Sequence, residues 1–160
     1  IMKQIQLSQG KFALVDDEDF EYLNQFKWQV FLKKNGNTCY AQRSYKKGKN
    51  ISMHREILGL TDPKIQGDHI DGNGLNNQRY NLRTVTHTQN QRNRKNFIKG
   101  TSKYKGVSWD KKNKKWIVRI RNGGKQIYLG HFLDEIEAAK KYDEMAKIYH
   151  KEFAYINFKE

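Results

Sequence analysis

Asp68 and His69 stand side by side, and a run of asparagines follows them. These are the residues whose types and spacing point to chemistry. The stretch from Gly67 to Asn96, GDHIDGNGLNNQRYNLRTVTHTQNQRNRKN, has only Ile70, Leu75, Leu82 and Val85 as aliphatic residues. A core segment of that length would show apolar periodicity; this one is a polar cluster. A carboxylate is a hard ligand for a divalent cation, and Mg²⁺ keeps several of its waters, so one or two protein ligands suffice. Histidine titrates near neutrality and suits the removal of a proton from an attacking water. Neighbouring side chains on a strand diverge, so Asp68 and His69 at a strand end could flank a phosphate from two sides. A second oxygen ligand must come from elsewhere, and the polar stretch 86–96 offers Asn90. Such a set suits phosphodiester hydrolysis, where a cation stabilises charge on the scissile phosphate and the leaving 3′ oxygen.

The elements that must position these groups are short. IQGDH (65–69) reads as a strand, IDGNGLNNQRY (70–80) as a loop and NLRTVT (81–86) as a second strand. THTQNQRNRKN (86–96) reads as a polar helix capped by Thr86 or Thr88, which completes a β–β–α unit. Asp71 and Asn73 fit turn-shaping roles better than metal binding. Arg83, Arg92 and Arg94 read as phosphate clamps, with a solvated face as the bland alternative. His87 reads as a surface residue. Upstream, ISMHREIL (51–58) passes from a strand into a short helix, with His54 structural or near the phosphate.

Residues 3–50 alternate short β-like runs with turns. KFALV (11–15), WQVFL (28–32) and TCYAQRSY (38–45) read as strands, and KNGN (34–37) carries an Asn-Gly hairpin signal. Trp28, Phe31 and Tyr40 are the expected core of this region. The 160-residue chain has a net charge of +14, 36% hydrophobic residues and a mean hydropathy of −0.99. That excess of positive charge points to a polyanion. No apolar run approaches bilayer length and no signal peptide pattern opens the chain, so the polyanion expected is nucleic acid rather than a membrane. Cys39 is the only cysteine, which excludes a disulfide framework and Cys-based zinc knuckles, and a cytoplasmic location is the expectation.

Beyond a linker, YKGVSW (104–109), KWIVRIR (115–121) and KQIYLGHF (125–132) alternate as three strands, with NGG (122–124) as a hairpin turn. A helix follows, capped by Asp134, with Phe132, Ile136, Ala139, Tyr142, Ala146 and Tyr149 expected on its apolar face. From Lys103 to Phe132 there are nine lysines and arginines against one acid, Asp110; from Leu133 to Glu160 there are five lysines against seven acids. Alternation puts Trp116, Val118 and Ile120 on one sheet face and Ile117, Arg119 and Arg121 on the other. The basic face is left to meet a duplex, where Arg can contact guanine in the major groove. A sheet made soluble by its lysines is the alternative.

DHIDGNGLNNQRYNLRTVTHTQN resembles the ββα-metal unit of the HNH nuclease family, and MHREILG resembles the segment that precedes it in one branch of that family. The resemblance implies Asp68 as metal ligand, His69 as general base, Asn81 as a brace of the loop and Asn90 as the ligand on the helix. An amide oxygen in place of the final histidine favours Mg²⁺ or Mn²⁺ over zinc. YKGVSWDKKNKKWIVRIR, IYLGHF, EAAKKYDEMA and INF resemble the AP2 DNA-binding domain. That resemblance implies that Lys105, Trp109, Lys111, Arg119, Arg121, Lys125 and Tyr128 face DNA. Ser108 stands where an arginine is common.

The expected architecture is α+β. A β-rich region (1–50) leads into the HNH unit (51–98), a linker (99–103) and an AP2-like sheet with one helix (104–160). The expected activity is a metal-dependent DNA endonuclease of the phage or mobile-element homing type, acting in a bacterial or phage-infected cell. It would use Mg²⁺ or Mn²⁺ and nick one strand of double-stranded DNA per monomer. No protein partner is expected, and a monomer rather than a dimer. A DNA-binding regulator with an inactive nuclease unit, or an HNH restriction enzyme, are the alternatives.

Overall fold

A computed structural model describes residues 1–32, 38–46, 48–93 and 100–158. The architecture is α+β, with four small antiparallel sheets. The chain divides into two compact units, Ile1–Asn90 and Gln91–Glu160.

In the first unit, β1 (Met2–Gln6) pairs with β2 (Phe12–Asp16), Ile5 opposite Ala13 and Lys3 opposite Val15. Alternation sends Ile5, Ala13 and Val15 inward, where they meet Leu7, Leu23, Trp28, Ala41 and Met53. α1 (Asp17–Leu23) opens with Asp17, Glu18 and Asp19, acids that favour a helix N-terminus. Its last residue, Leu23, is buried, and its carbonyl accepts from Trp28 Nε1 at 2.8 Å. β3 (Gln29–Leu32), β4 (Cys39–Tyr45) and β5 (Lys49–Ser52) form a sheet in that order. Residues 34–37, expected as the hairpin turn between β3 and β4, lie outside the described residues. Trp28 takes its expected core place, but Phe31 is 44% exposed, because it falls on the outward phase of a strand with one covered face.

α2 (Met53–Ile57) follows β5 directly. Glu56 on α2 pairs with Arg43 on β4 through Nη2–Oε1 at 2.6 Å and Nε–Oε2 at 2.9 Å, and accepts from Tyr22 at 2.8 Å. Arg43 also lies over the Phe26 ring at 4.0 Å. These bonds fix the helix that carries His54. A hairpin then forms from β6 (Gln66–His69) and β7 (Leu82–Val85), with Asp68 opposite Arg83 and His69 opposite Leu82. α3 (His87–Asn93) closes the ββα order. Its start is a capping box: Gln89 N donates to Thr86 Oγ1 at 3.3 Å, and Thr86 N donates to Gln89 Oε1 at 2.8 Å.

In the second unit, β8 (Val107–Asp110), β9 (Lys115–Asn122) and β10 (Lys125–Phe132) make a sheet with β9 in the centre. α4 (Glu135–His150) covers one face. Asp134 caps it, accepting from Glu137 N at 2.8 Å. Ala138, Ala139, Tyr142 and Ala146 pack against Val107, Val118 and Ile120. The alanines let the helix lie close. Gly106 has φ 80°, and a Cβ there would overlap the Tyr142 ring, so glycine is required on both counts. Ile136 does not join the apolar face as expected. It is 47% exposed, and Ala138 takes its place. The tail is pinned to α4 by Asp143, which is buried and accepts from Asn157 N and Nδ2, both at 2.9 Å, and from Phe158 N at 3.0 Å. Among the described residues no helix is long and apolar enough to cross a membrane.

Candidate functional site

The first unit brings its polar groups together around the β6–β7 hairpin. His69 ends β6 and is 5% exposed; its neighbour Asp68 is 7% exposed. His69 Nε2 lies 3.2 Å from Asn77 Oδ1. An amide oxygen only accepts, so the bond assigns the imidazole proton to Nε2 and the lone pair of the neutral ring to Nδ1. Burial is the main influence on His69 and pushes its pKa below the ordinary histidine value. The Asn77 bond and the charges of Asp71 and Asp68 oppose that shift. The ring is thereby kept neutral with a lone pair available, the state a water-activating residue needs.

Asn77 is fully buried, and its backbone N–H donates to Leu14 O on β2 at 2.8 Å. Leu14 N in turn donates to Leu75 O at 2.8 Å. The carboxylate of Asp16 takes Gln78 Nε2 at 3.0 Å and Arg79 N at 2.7 Å, and Arg79 grips Asp19 through Nε and Nη2 at 2.9 and 2.7 Å. The N-terminal strands are therefore the support of the loop that holds His69. Asn77 Nδ2 is buried with no partner among the described residues, a polar cost accepted at that position.

His54 flanks the other side of the ring. Its centroid lies 4.9 Å from that of His69, with the planes at 73°, and Tyr40 stands 5.8 Å from His69. Gly67 leaves room for this, since a Cβ there would come within 2.5 Å of His54 Cδ2. Burial, followed by the nearby charges of His69 and Arg55, pushes the pKa of His54 down to about 3, so it is a neutral wall against the His69 ring.

Asn81, also buried, closes the loop on itself. Its Nδ2 donates to Asp71 Oδ1 at 3.0 Å and to Asn76 O at 2.8 Å, while its Oδ1 accepts from Asp71 N at 3.0 Å. Arg83 turns its guanidinium onto Asp68 Oδ2, at 3.0 Å from Nε and 2.8 Å from Nη2. Asn90 on α3 donates through Nδ2 to Gln66 Oε1 at 2.8 Å, and Gln66 Nε2 meets His87 Nδ1 at 3.2 Å. With the amide N–H₂ donating to Gln66, the atom of Asn90 that could face a cation is its oxygen. Among the described residues no three His, Cys, Asp or Glu side chains gather into a metal cage. The donors expected from the sequence, Asp68 and Asn90, would offer one carboxylate and one amide oxygen. Such a pair would suit a hard cation that keeps most of its own water better than zinc.

In the second unit the register sorts the sheet faces. Tyr128 pairs with Arg119, His131 with Ile117, Ser108 with Ile117 and Asp110 with Lys115, so these residues share the face away from α4. Arg119, Arg121 and Tyr128 are exposed there. Lys111 lies in the β8–β9 turn, and Lys125 at the start of β10. Trp109 pairs with Trp116 on the opposite face, at the margin of the core, their rings 5.0 Å apart. Lys105 is engaged inside the unit, where its Nζ donates to Arg92 O and lies 5.3 Å from the Tyr155 ring. Arg92 Nη2 donates to Asn122 Oδ1 at 3.2 Å. Arg94 lies outside the described residues.

Over 155 residues the chain is 34% identical to an uncharacterized HNH endonuclease of Acanthamoeba polyphaga mimivirus, a match spanning 91% of this chain and 74% of the relative. Residues 102–152 match the AP2 domain. The chain belongs to the HNH endonucleases, with an AP2 domain at its C-terminal end. A further relative, Protein 3.8 of Escherichia phage T7, is 42% identical over 59 residues, 37% of this chain and 49% of that one. Within the HNH frame, three contributors have contacts that no sequence signal specified. Asn77 and Gln66 are single polar residues among many. The contact of His54 with the His69 ring depends on α2 docking beside β6. The one local clue was Gly67, whose missing side chain makes room for the His54 ring.

Proposed function

We propose that the chain is a divalent-metal-dependent DNA endonuclease of the homing type, nicking one strand per bound monomer at a site read by the AP2 sheet. The observation that supports it most is the hairpin end, where His69 is buried, neutral and fixed through Nε2 by Asn77 beside the carboxylate of Asp68. A Mg²⁺ or Mn²⁺ ion held by Asp68 and the Asn90 oxygen would supply positive charge for the scissile phosphate and the leaving oxygen. Everything else falls to the chain's own groups. His69 Nδ1 takes a proton from water as the oxygen attacks phosphorus. The bond to the 3′ oxygen breaks, that oxygen takes a proton from solvent, and a 5′-phosphate and a 3′-hydroxyl result. Arg83 holds the Asp68 carboxylate in place, and Asn81 keeps the loop closed behind it. Arg119, Arg121, Lys111, Lys125 and Tyr128 meet the duplex, and the chain's net charge of +14 favours binding along a phosphate backbone.

Incubation of supercoiled plasmid with the full chain and Mg²⁺ or Mn²⁺ tests this. Relaxed circles with either metal and none with EDTA are expected. Intact supercoils under both metals would refute the enzyme and leave a DNA-binding regulator.

A further inference from the structure

Three side chains on the AP2 sheet form a relay that the nuclease chemistry does not use. His131 Nε2 lies 3.0 Å from Asp110 Oδ2, and His131 Nδ1 lies 2.7 Å from the Tyr128 hydroxyl. The three come from β8 and β10, on either side of β9, and share the face that carries Arg119. An extra residue, Leu129, bulges β10 between Tyr128 and His131 and leaves both on that face. Asp110 is also the only acid from Lys103 to Phe132. Its carboxylate is built in: Oδ1 takes Lys112 N at 3.0 Å and Asn113 N at 3.2 Å, and Oδ2 takes Asn113 Nδ2 at 2.8 Å. The bonds from Asn113 and His131 hold it well below the usual carboxylate range, so it stays an acceptor.

The polarity of the relay follows. A carboxylate accepts only, so His131 Nε2 carries a proton. In the tautomer with the proton on Nε2, Nδ1 offers its lone pair, and the Tyr128 hydroxyl donates its one proton there. Tyr128 is 55% exposed, and with its proton on His131 its oxygen is left with lone pairs alone. We propose that Asp110 and His131 set the Tyr128 hydroxyl as a hydrogen-bond acceptor that selects a base with a major-groove amino group, adenine or cytosine, at one position of the recognition site. Those are the bases that present a donor in that groove, whereas guanine and thymine present acceptors. Tyr128 is the contacting residue, and Asp110 and His131 are positioning residues. The inference rests on the reading of this sheet as the DNA face.

The test is selection of bound duplexes from a randomised library by the full chain in EDTA, so that nothing is cut. Wild type should enrich adenine or cytosine about fivefold at one position, the discrimination one hydrogen bond supplies. Tyr128→Phe should flatten that position and leave the others intact. Asp110→Asn is the sharper variant. Its amide N–H₂ would donate to His131 Nε2, move the ring proton to Nδ1 and turn the Tyr128 proton outward, so the preference should invert to guanine or thymine. A profile in Asp110→Asn or Tyr128→Phe identical to wild type would overturn the proposal. Full wild-type affinity in an Arg119→Ala, Arg121→Ala double variant would instead refute the DNA face, and this inference with it.

Discussion

His69 owes its protonation state to burial and its tautomer to one amide, Asn77, which is itself tied to the backbone of β2. Asn77→Leu keeps that backbone bond and removes the orphaned Nδ2, so the melting temperature should change by no more than about 5 °C. Cleavage should fall about tenfold or more at unchanged DNA affinity, because the ring loses its tautomer lock. Equal cleavage would assign Asn77 to packing alone. His54 makes a prediction in pH. Its folded pKa of about 3 lies below the unfolded value near 6.5, so the unfolded chain binds the extra proton. Stability should therefore be complete above about pH 6.5 and decline as pH falls towards 3, by about 2 kcal/mol from this group at pH 5. Thermal melts of wild type and His54→Gln between pH 7 and 5 read this directly, with a shallower acid slope expected in the variant. Asp68, His69 and Asn90 stood out in the sequence because so many Asp, His and Asn side chains have no place in a core. Asn77 did not, because its role is set by a contact with β2 more than sixty residues away.

At the scale of elements, the hairpin and α3 were legible from local signals, the Asx- and Gly-rich loop and a threonine cap at Thr86 or Thr88, of which Thr86 caps the helix. The three AP2 strands were legible from alternation. β1 was not, since Ile5 is its only buried residue and the rest of MKQIQ looks like surface. Phe31 and Ile136 were misplaced because apolar character alone does not say which face of a strand or helix is covered. The same unevenness shows in the tail, where nothing in INF signals that it hangs on Asp143. Asp143→Ala strands the Asn157 and Phe158 donors and should cost about 1–3 kcal/mol in chemical denaturation. A free energy of unfolding equal to that of wild type would show that the clasp adds nothing.

The whole molecule joins an HNH unit to an AP2 unit with a basic sheet. The positive charge is concentrated before Phe132. Arg119 and Arg121 are exposed on the face away from α4, so binding should weaken steeply with salt. Replacing both by alanine should lower the slope of log K against log salt by about 2. An unchanged slope in fluorescence anisotropy titrations would remove them from the interface. The central claim, that His69 performs the cutting while other residues hold the DNA, is tested most directly by single-turnover nicking of supercoiled plasmid in Mg²⁺ at saturating protein. Wild type and His69→Ala are compared, with the bound fraction measured alongside. The account predicts equal binding and a nicking rate lowered by about 100-fold or more in His69→Ala; equal rates in the two proteins would contradict it.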